Sequence, residues 1–348
     1  MRPARRRASA NTILETLERR QLMSAGLARS SIIKPTYADA SANGSASPTS
    51  SMHTPAQIRT AYGFDKVNLN GIVGDGTGQT IAIIDAFDNP NFVNSTASNF
   101  NTSDLHKFDV QFGLPDPPSF KKVSQTGGTT LPAYDQGWSG EIALDVEWSH
   151  AIAPGAKIVL IEARSASTSN LMVTAANTAR NMAGVSVVSM SFSGDESSSD
   201  PSTNSHFLTP TGHQGVTFVA STGDDGSPGG YPAYSPNVVA VGGTSLTLNS
   251  SSSAWVSEKG WNSGVDSKGV LSATGGGIST VEPQPSYQAG VVTQSTTHRT
   301  IPDIAFVADP ATGVAVYDTA NGGSATPWLQ YGGTSLSAPA IAGMIAIA

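Results

Sequence analysis

Thr80-Ile81-Ala82-Ile83-Ile84-Asp85-Ala86 carries apolar side chains on both faces of an extended chain. A half-exposed strand alternates apolar with polar residues. This run does not, so it predicts a strand covered on both sides, as in a parallel sheet. Runs of the same character recur at 157–163, 185–192, 216–221 and 238–241. Helical patterns lie between several of them, at 140–152 and 170–182. Thr54-Pro55 supplies a capping hydroxyl and a proline at the first helical position, starting a helix through Tyr62. Strands alternating with helices predict an α/β fold: a parallel sheet of about six or seven strands flanked by helices on both faces.

Outside this pattern the chain is different. Residues 1–30 hold Arg2, Arg5, Arg6, Arg7, Arg19, Arg20 and Arg29 against Glu15 and Glu18, with no apolar stretch behind them of the kind a signal peptide has. Residues 38–52 are rich in Ser, Ala and Thr and are expected to form a flexible linker. The expected division is therefore a basic leader and linker over 1–52 and one folded domain over 53–348. Residues 337–348 form an apolar helical run with no capping residue or charge after it, which leads us to expect further sequence beyond Ala348.

Of the 348 residues only 13% are charged, the net charge is −7, and cysteine is absent. The acidic balance argues against a nucleic-acid partner, which needs a basic face. The absence of cysteine excludes disulfides, zinc-thiolate sites and a thiol nucleophile. No apolar run approaches the roughly 20 residues that a membrane span requires.

The chemistry is concentrated in a few strings. Gly332-Gly333-Thr334-Ser335-Leu336-Ser337-Ala338-Pro339 follows a β-like stretch over 328–331 and leads into a helix with proline in its first turn. Ser335 is thereby placed at a helix N-terminus, where free N–H groups favour developing negative charge. Gly-Gly-Thr-Ser-Leu also occurs at 242–246, but Thr247, Leu248 and Asn249 continue a strand into a polar turn, so Ser245 is structural. A serine hydroxyl needs a neighbouring base. None of His53, His106, His150, His206, His213 and His298 sits in the His-Gly-Thr string of subtilisin-like enzymes. In Gly140-Glu141-Ile142-Ala143-Leu144-Asp145-Val146-Glu147-Trp148 two acids four apart share one face of a mostly apolar helix. Alone, that spacing describes a solvated face. In an apolar setting the two acids repel and at least one keeps its proton. Asp224, in Ser221-Thr222-Gly223-Asp224-Asp225-Gly226, follows a buried strand, where α/β enzymes place their sites.

With these strings, residues 53–348 resemble the sedolisin (serine-carboxyl peptidase) family, in particular its kumamolisin-like members. Further matching strings are Ala-Pro-Gly-Ala-Lys-Ile at 153–158, Gly-Gly-Gly-Ile-Ser at 275–279, Pro-Asp-Ile-Ala at 302–305 and Asp-Pro-Ala-Thr-Gly at 309–313, all in the family's order. The resemblance implies a subtilisin-like fold and an acid-active endopeptidase acting on polypeptides. Ser335 would be the nucleophile, Glu141 its general base, Asp145 the residue that holds Glu141, and Asp224 the oxyanion-hole side chain. Asp85, at the end of its strand, would extend the acid network from behind. The chain would be exported, to the medium or the cell surface, and monomeric. Leu17-Glu18-Arg19-Arg20-Gln21-Leu22-Met23-Ser24-Ala25 resembles a short motif of exported bacterial proteins.

Three features depart from the family: fewer residues before the match than its long prodomain has, an end before the region of its structural calcium, and Phe192-Ser193 where kumamolisin-like chains carry a tryptophan. No cofactor is expected within these residues, and the calcium ligands would lie beyond Ala348. The alternatives are a Ser-His-Asp protease using Ser335, Asp85 and a histidine such as His150, and a non-catalytic binding domain derived from a peptidase.

Overall fold

A computed structural model describes residues 33–40 and 44–348. The strands that define the architecture are β1 (Lys34–Pro35), β2 (Ala38–Asp39), β3 (Thr80–Ala86), β4 (Phe120–Ser124), β5 (Lys157–Ala163), β6 (Val185–Met190), β7 (Phe192–Ser193), β8 (Thr217–Ser221), β9 (Val238–Leu248), β10 (Trp255–Gly260), β11 (Ile304–Val307), β12 (Val314–Tyr317) and β13 (Trp328–Gly332). The central sheet has eight strands in the order β10-β9-β8-β6-β3-β5-β4, with β11 also paired to β9. All its pairings are parallel except that of β9 with β10.

The expected α/β fold is present, with one or two strands more than anticipated. β4 is an edge strand whose Lys121 and Lys122 hide its pattern, β10 is largely exposed and antiparallel, and β11 is only four residues long.

Both faces of β3 are covered. Ile81 and Ile83 join one apolar cluster, together with the helices α2 (Gln136–Ile152) and α3 (Thr334–Ile347). Ala82 and Ile84 join a second cluster, with Leu171, Ala175 and Ala179 from the helical stretch that starts at Ser169 and ends at Asn181. Strict alternation of two buried faces explains the lack of alternation in the sequence. α1 (Pro55–Tyr62) begins as expected, with the Thr54 hydroxyl accepting the Gln57 N–H. Among the described residues no helix is long and apolar enough to cross a membrane.

Two expectations require correction. Residues 38–52 were expected to be a flexible linker, yet Ala38 and Asp39 pair with Gly332 and Tyr331, and Ser45 bridges to Trp328. Backbone pairing with β13, an otherwise open edge, overrides the polar composition. The folded unit therefore starts before His53, while residues 1–32, which include the export motif, and residues 41–43 lie outside the described residues. The second correction concerns α3. It starts at Thr334, which puts Pro339 in the second turn rather than the first. A proline there cannot bond the carbonyl four residues earlier, that of Ser335. The Ser191 hydroxyl reaches this carbonyl instead, at 3.4 Å.

Candidate active site

The candidate residues converge at the C-terminal ends of the parallel strands. Asp85 is the penultimate residue of β3, Ser191 follows β6, Asp224 follows β8, and Ser335 lies in the first turn of α3, shortly after β13. α2 supplies Glu141 and Asp145. Its residues from Trp138 to Ile152 are all buried, and the Asp135 side chain caps it by accepting the Trp138 N–H at 3.0 Å. A helix apolar on nearly every side lies at the centre of a domain, and its acids are carried inside with it.

Ser335 is fully buried. Its hydroxyl lies 3.2 Å from the Ser191 carbonyl and 2.7 Å from the Thr36 hydroxyl, and accepts the Thr36 N–H at 3.1 Å. That same N–H donates to Glu141 Oε2 at 3.0 Å. Ser335 and Glu141 thus share one donor. No histidine ring is bonded to Ser335 among the described residues. His150 Nε2 donates to the Pro115 carbonyl at 2.8 Å and lies 3.3 Å from Asp109 Oδ1. Burial lowers the imidazole to about 4 and raises Asp109 to about 9, so between those values the contact joins neutral groups.

Behind Glu141 stand Asp145 and Asp85, both fully buried. No N–H or hydroxyl donor reaches Asp85 Oδ1 and Oδ2, Asp145 Oδ1 and Oδ2 or Glu141 Oε1. Ionised carboxylates in that setting would be expensive. Burial first, then the neighbouring acids, raises all three well above the ordinary range. The Ser335 hydroxyl and a hydrogen bond with Asp145 oppose the rise at Glu141, whereas the same bond raises Asp145. The coupling between the two carboxyls thus favours ionisation of Glu141 over that of Asp145. The Ser191 hydroxyl donates to the Ser335 carbonyl at 3.4 Å, and its nearness opposes the rise at Asp145. Asp85 faces inward, not into solvent, and pairs in register with Glu162 on β5.

Asp224 sits across from this group. Its Oδ1 accepts both the Thr334 N–H at 2.8 Å and the Thr334 hydroxyl at 2.7 Å. Oδ2 has no such donor, which leaves it as the oxygen to carry a proton. Burial raises Asp224 to about 7, against the lowering effect of Thr334. Gly333 makes the close approach possible. Its φ is +89°, and a Cβ there would run into the Thr36 carbonyl oxygen and Asp224 Oδ2. The Ser335 N–H donates to that Thr36 carbonyl at 3.1 Å. A backbone N–H and a protonated carboxyl beside one carbonyl oxygen form an arrangement able to stabilise an oxyanion.

All five acids and hydroxyls singled out in the sequence, Ser335, Glu141, Asp145, Asp224 and Asp85, fall in this one region, whereas Ser245 bonds Asp309 elsewhere at 2.5 Å. Thr36, Ser191 and Thr334 were not foreseen. Pro35 and the β-leaning Ile32, Ile33 and Tyr37 marked the Thr36 segment as a possible edge strand, within a stretch whose composition read as leader. Where the expected tryptophan is replaced by Phe192, an indole still comes close: the Trp138 ring lies 6.3 Å from that of Phe192. Among the described residues no group of three His, Asp or Glu side chains is arranged to hold a metal ion.

The chain is similar to known peptidases. The family model of the subtilase family, peptidase S8, matches residues 70–348. Kumamolisin of Bacillus sp. (strain MN-32) is 34% identical over 324 residues, covering 87% of this chain and 52% of that protein. Sedolisin of Pseudomonas sp. (strain 101) is 42% identical over 145 residues, covering 38% of this chain and 23% of that protein. The chain thus spans about half the length of kumamolisin and less of sedolisin. Among solved structures, Pseudomonas sedolisin, a serine-carboxyl proteinase complexed with two molecules of pseudo-iodotyrostatin, superposes with a TM-score of 0.71 at 30% identity, covering 86% of this chain and 81% of that one.

Proposed function

The chain belongs to the sedolisins, the serine-carboxyl peptidases within the subtilase family, and from that membership we propose that it cleaves polypeptides at acidic pH through an acyl-enzyme on Ser335. Ser335 Oγ attacks the carbonyl carbon, and ionised Glu141 takes its proton. Asp145, hydrogen-bonded to Glu141, holds that carboxylate in place. The oxyanion is met by the Ser335 N–H and by the proton on Asp224. Glu141 then protonates the leaving amine, and a water hydrolyses the ester. Asp85 stands behind the network and sets how readily Glu141 ionises. All these groups come from one chain, which suits a monomer. Export, to the medium or the cell surface, suits the weakly charged, cysteine-free sequence.

The observation that carries this proposal is the single Thr36 N–H shared by Glu141 Oε2 and Ser335 Oγ at 3.0 and 3.1 Å. It places hydroxyl and carboxylate around one point with no imidazole between them. A Ser-His-Asp mechanism through His150 is disfavoured, because that ring is engaged with Pro115 and Asp109. A non-catalytic domain is disfavoured because three buried carboxyls without a cation cost stability and serve no packing need. The test is kcat/KM on casein. Ser335→Ala and Glu141→Ala are each expected to lose at least about 10³-fold, and the double variant little more. Losses that multiply in the double variant would refute the pairing.

A further inference from the structure

The acids behind Glu141 do not end at Asp85. They continue as a row across the sheet, on the face that α2 covers. Ile158 and Leu160 of β5 belong to the same apolar cluster as Ile142 and Leu144 of α2. Side chains alternate along a strand, so Glu162 projects to that face too. It pairs in register with Asp85 of β3 on one side and with Ser124 of β4 on the other. Phe120 of β4 is in the same cluster, which puts Lys122, two residues on, beneath α2 as well. The Glu162 side chain is inaccessible, that of Lys122 is 4% exposed and that of Asp88 17%. Lys122 Nζ lies 3.1 Å from Glu162 Oε1, donates to the Asn89 carbonyl at 2.8 Å and pairs with Asp88. Inward from the surface the order is Asp88, Lys122, Glu162 and Asp85, then Asp145 and Glu141, to which Asp85 is electrostatically coupled. Arg164 lines the same cavity as Glu162 but is exposed, so solvent screens it.

We propose that the Asp88–Lys122 pair sets the charge of the catalytic acids from the edge of the sheet, its cationic end turned toward the row so that Glu141 can ionise. This rests on the peptidase function proposed above, in which Glu141 is the base. Lys122 and Asp88 are positioning residues: neither touches substrate, and both act through the acids between. A buried cation favours the ionised form of carboxyls near it. From β4 to β3 is two strand spacings, about 10 Å. At an effective dielectric constant of about 20 a unit charge at that distance moves a carboxyl by about one pH unit, and the more distant Glu141 by less. Glu162 stays at about 9, raised by burial against the effect of Lys122. In the acidic range it is therefore a neutral link between the pair and Asp85, not a second anion.

The test is kcat/KM on casein between pH 3 and 8 for the full chain and four variants, with Tm measured alongside. Lys122→Met removes the cation and keeps a stem of similar bulk, so its acid limb should move up by roughly half a pH unit. Asp88→Asn/Glu162→Gln leaves the cation with no carboxylate beside it, and its acid limb should move down by a similar amount. Glu162→Gln alone and Lys122→Arg should leave that limb in place. The alkaline limb belongs to Asp224, across from this row, and should stay at its wild-type position in all four. A role in packing alone would lower kcat/KM at every pH without displacing a limb. If Lys122→Met does not fold, the double variant and Lys122→Arg decide by the same criteria. An acid limb that stays fixed in Lys122→Met and in the double variant, or moves the same way in both, overturns the proposal. If the wild type hydrolyses no casein at any pH, the peptidase function falls, and this proposal with it.

Discussion

Asp224 and Glu141 need opposite protonation states, and the environment of each residue sets where the two can coexist. Asp224 donates to the oxyanion only while protonated, and burial raises it to about 7. Activity is therefore present below that value and lost as pH rises through it. Glu141 accepts a proton only when ionised, and burial holds it well above its ordinary value, about 4.3. The profile of kcat/KM is expected to be a narrow bell with its acid limb above the ordinary glutamate range and its alkaline limb near 7. Its limbs belong to the coupled acids as a group. Asp224→Asn keeps a donor without a titrating proton, so its alkaline limb should flatten while some activity remains. Asp85→Asn removes an acid whose coupling raises Glu141, so its acid limb should move to lower pH. Unmoved limbs in both variants would show that neither residue acts as assigned.

At the scale of elements, catalysis depends on how α2, which carries Glu141, packs against α3, which carries Ser335. Gly343 is the contact that allows their approach. A Cβ added there would lie 2.8 Å from Ile152 Cβ and 2.9 Å from its Cγ2. Gly343→Ala gains about 1 kcal/mol of helix propensity, but overpacking a dense core costs roughly 1–3 kcal/mol. The clash is with the branched, backbone-proximal part of Ile152, which has little room to yield, so the net effect should be destabilising. Urea unfolding is expected to show a lower midpoint, with reduced kcat as the helices separate. In Gly343→Ala/Ile152→Ala the two losses should be less than additive. Strict additivity would mean that the helices adjust elsewhere.

For the whole molecule, the burial of acids has a consequence for stability. A carboxyl raised in the folded state binds its proton more tightly there than in the unfolded chain. Its contribution is full below the ordinary carboxylate value, about 4, and is lost as pH rises through the folded value. Asp200 at about 6, Asp104 and Asp224 at about 7, and Asp109 and Glu162 at about 9 all act in this sense. His150, lowered to about 4, acts oppositely: its contribution is present above the ordinary histidine value and fades as pH falls. Five carboxyls outweigh one imidazole. Calorimetry should show a higher Tm at pH 5 than at pH 8, and a Tm rising across that interval would contradict the burial pattern.

What the sequence determined by itself is local. Apolar runs without alternation specify strands buried on both faces, Thr54-Pro55 specifies where a helix begins, and Gly-Thr-Ser with a following proline specifies a hydroxyl at a helix start, because each is a property of neighbouring residues. The motif strings also named Ser335, Glu141, Asp145 and Asp224, which the fold brings together. Only the tertiary structure decided that Asp85 points inward and that its neighbours withhold donors from it. It alone decided that Thr36, 299 positions from Ser335, lies against it. Composition had placed Thr36 in a leader, because polarity and arginine content report how a segment behaves when nothing pairs with it. The edges of β13 and β7 supply that pairing. The protonation of the acids is decided in the same way, since burial is a property of everything packed around a residue and not of the residues beside it in sequence.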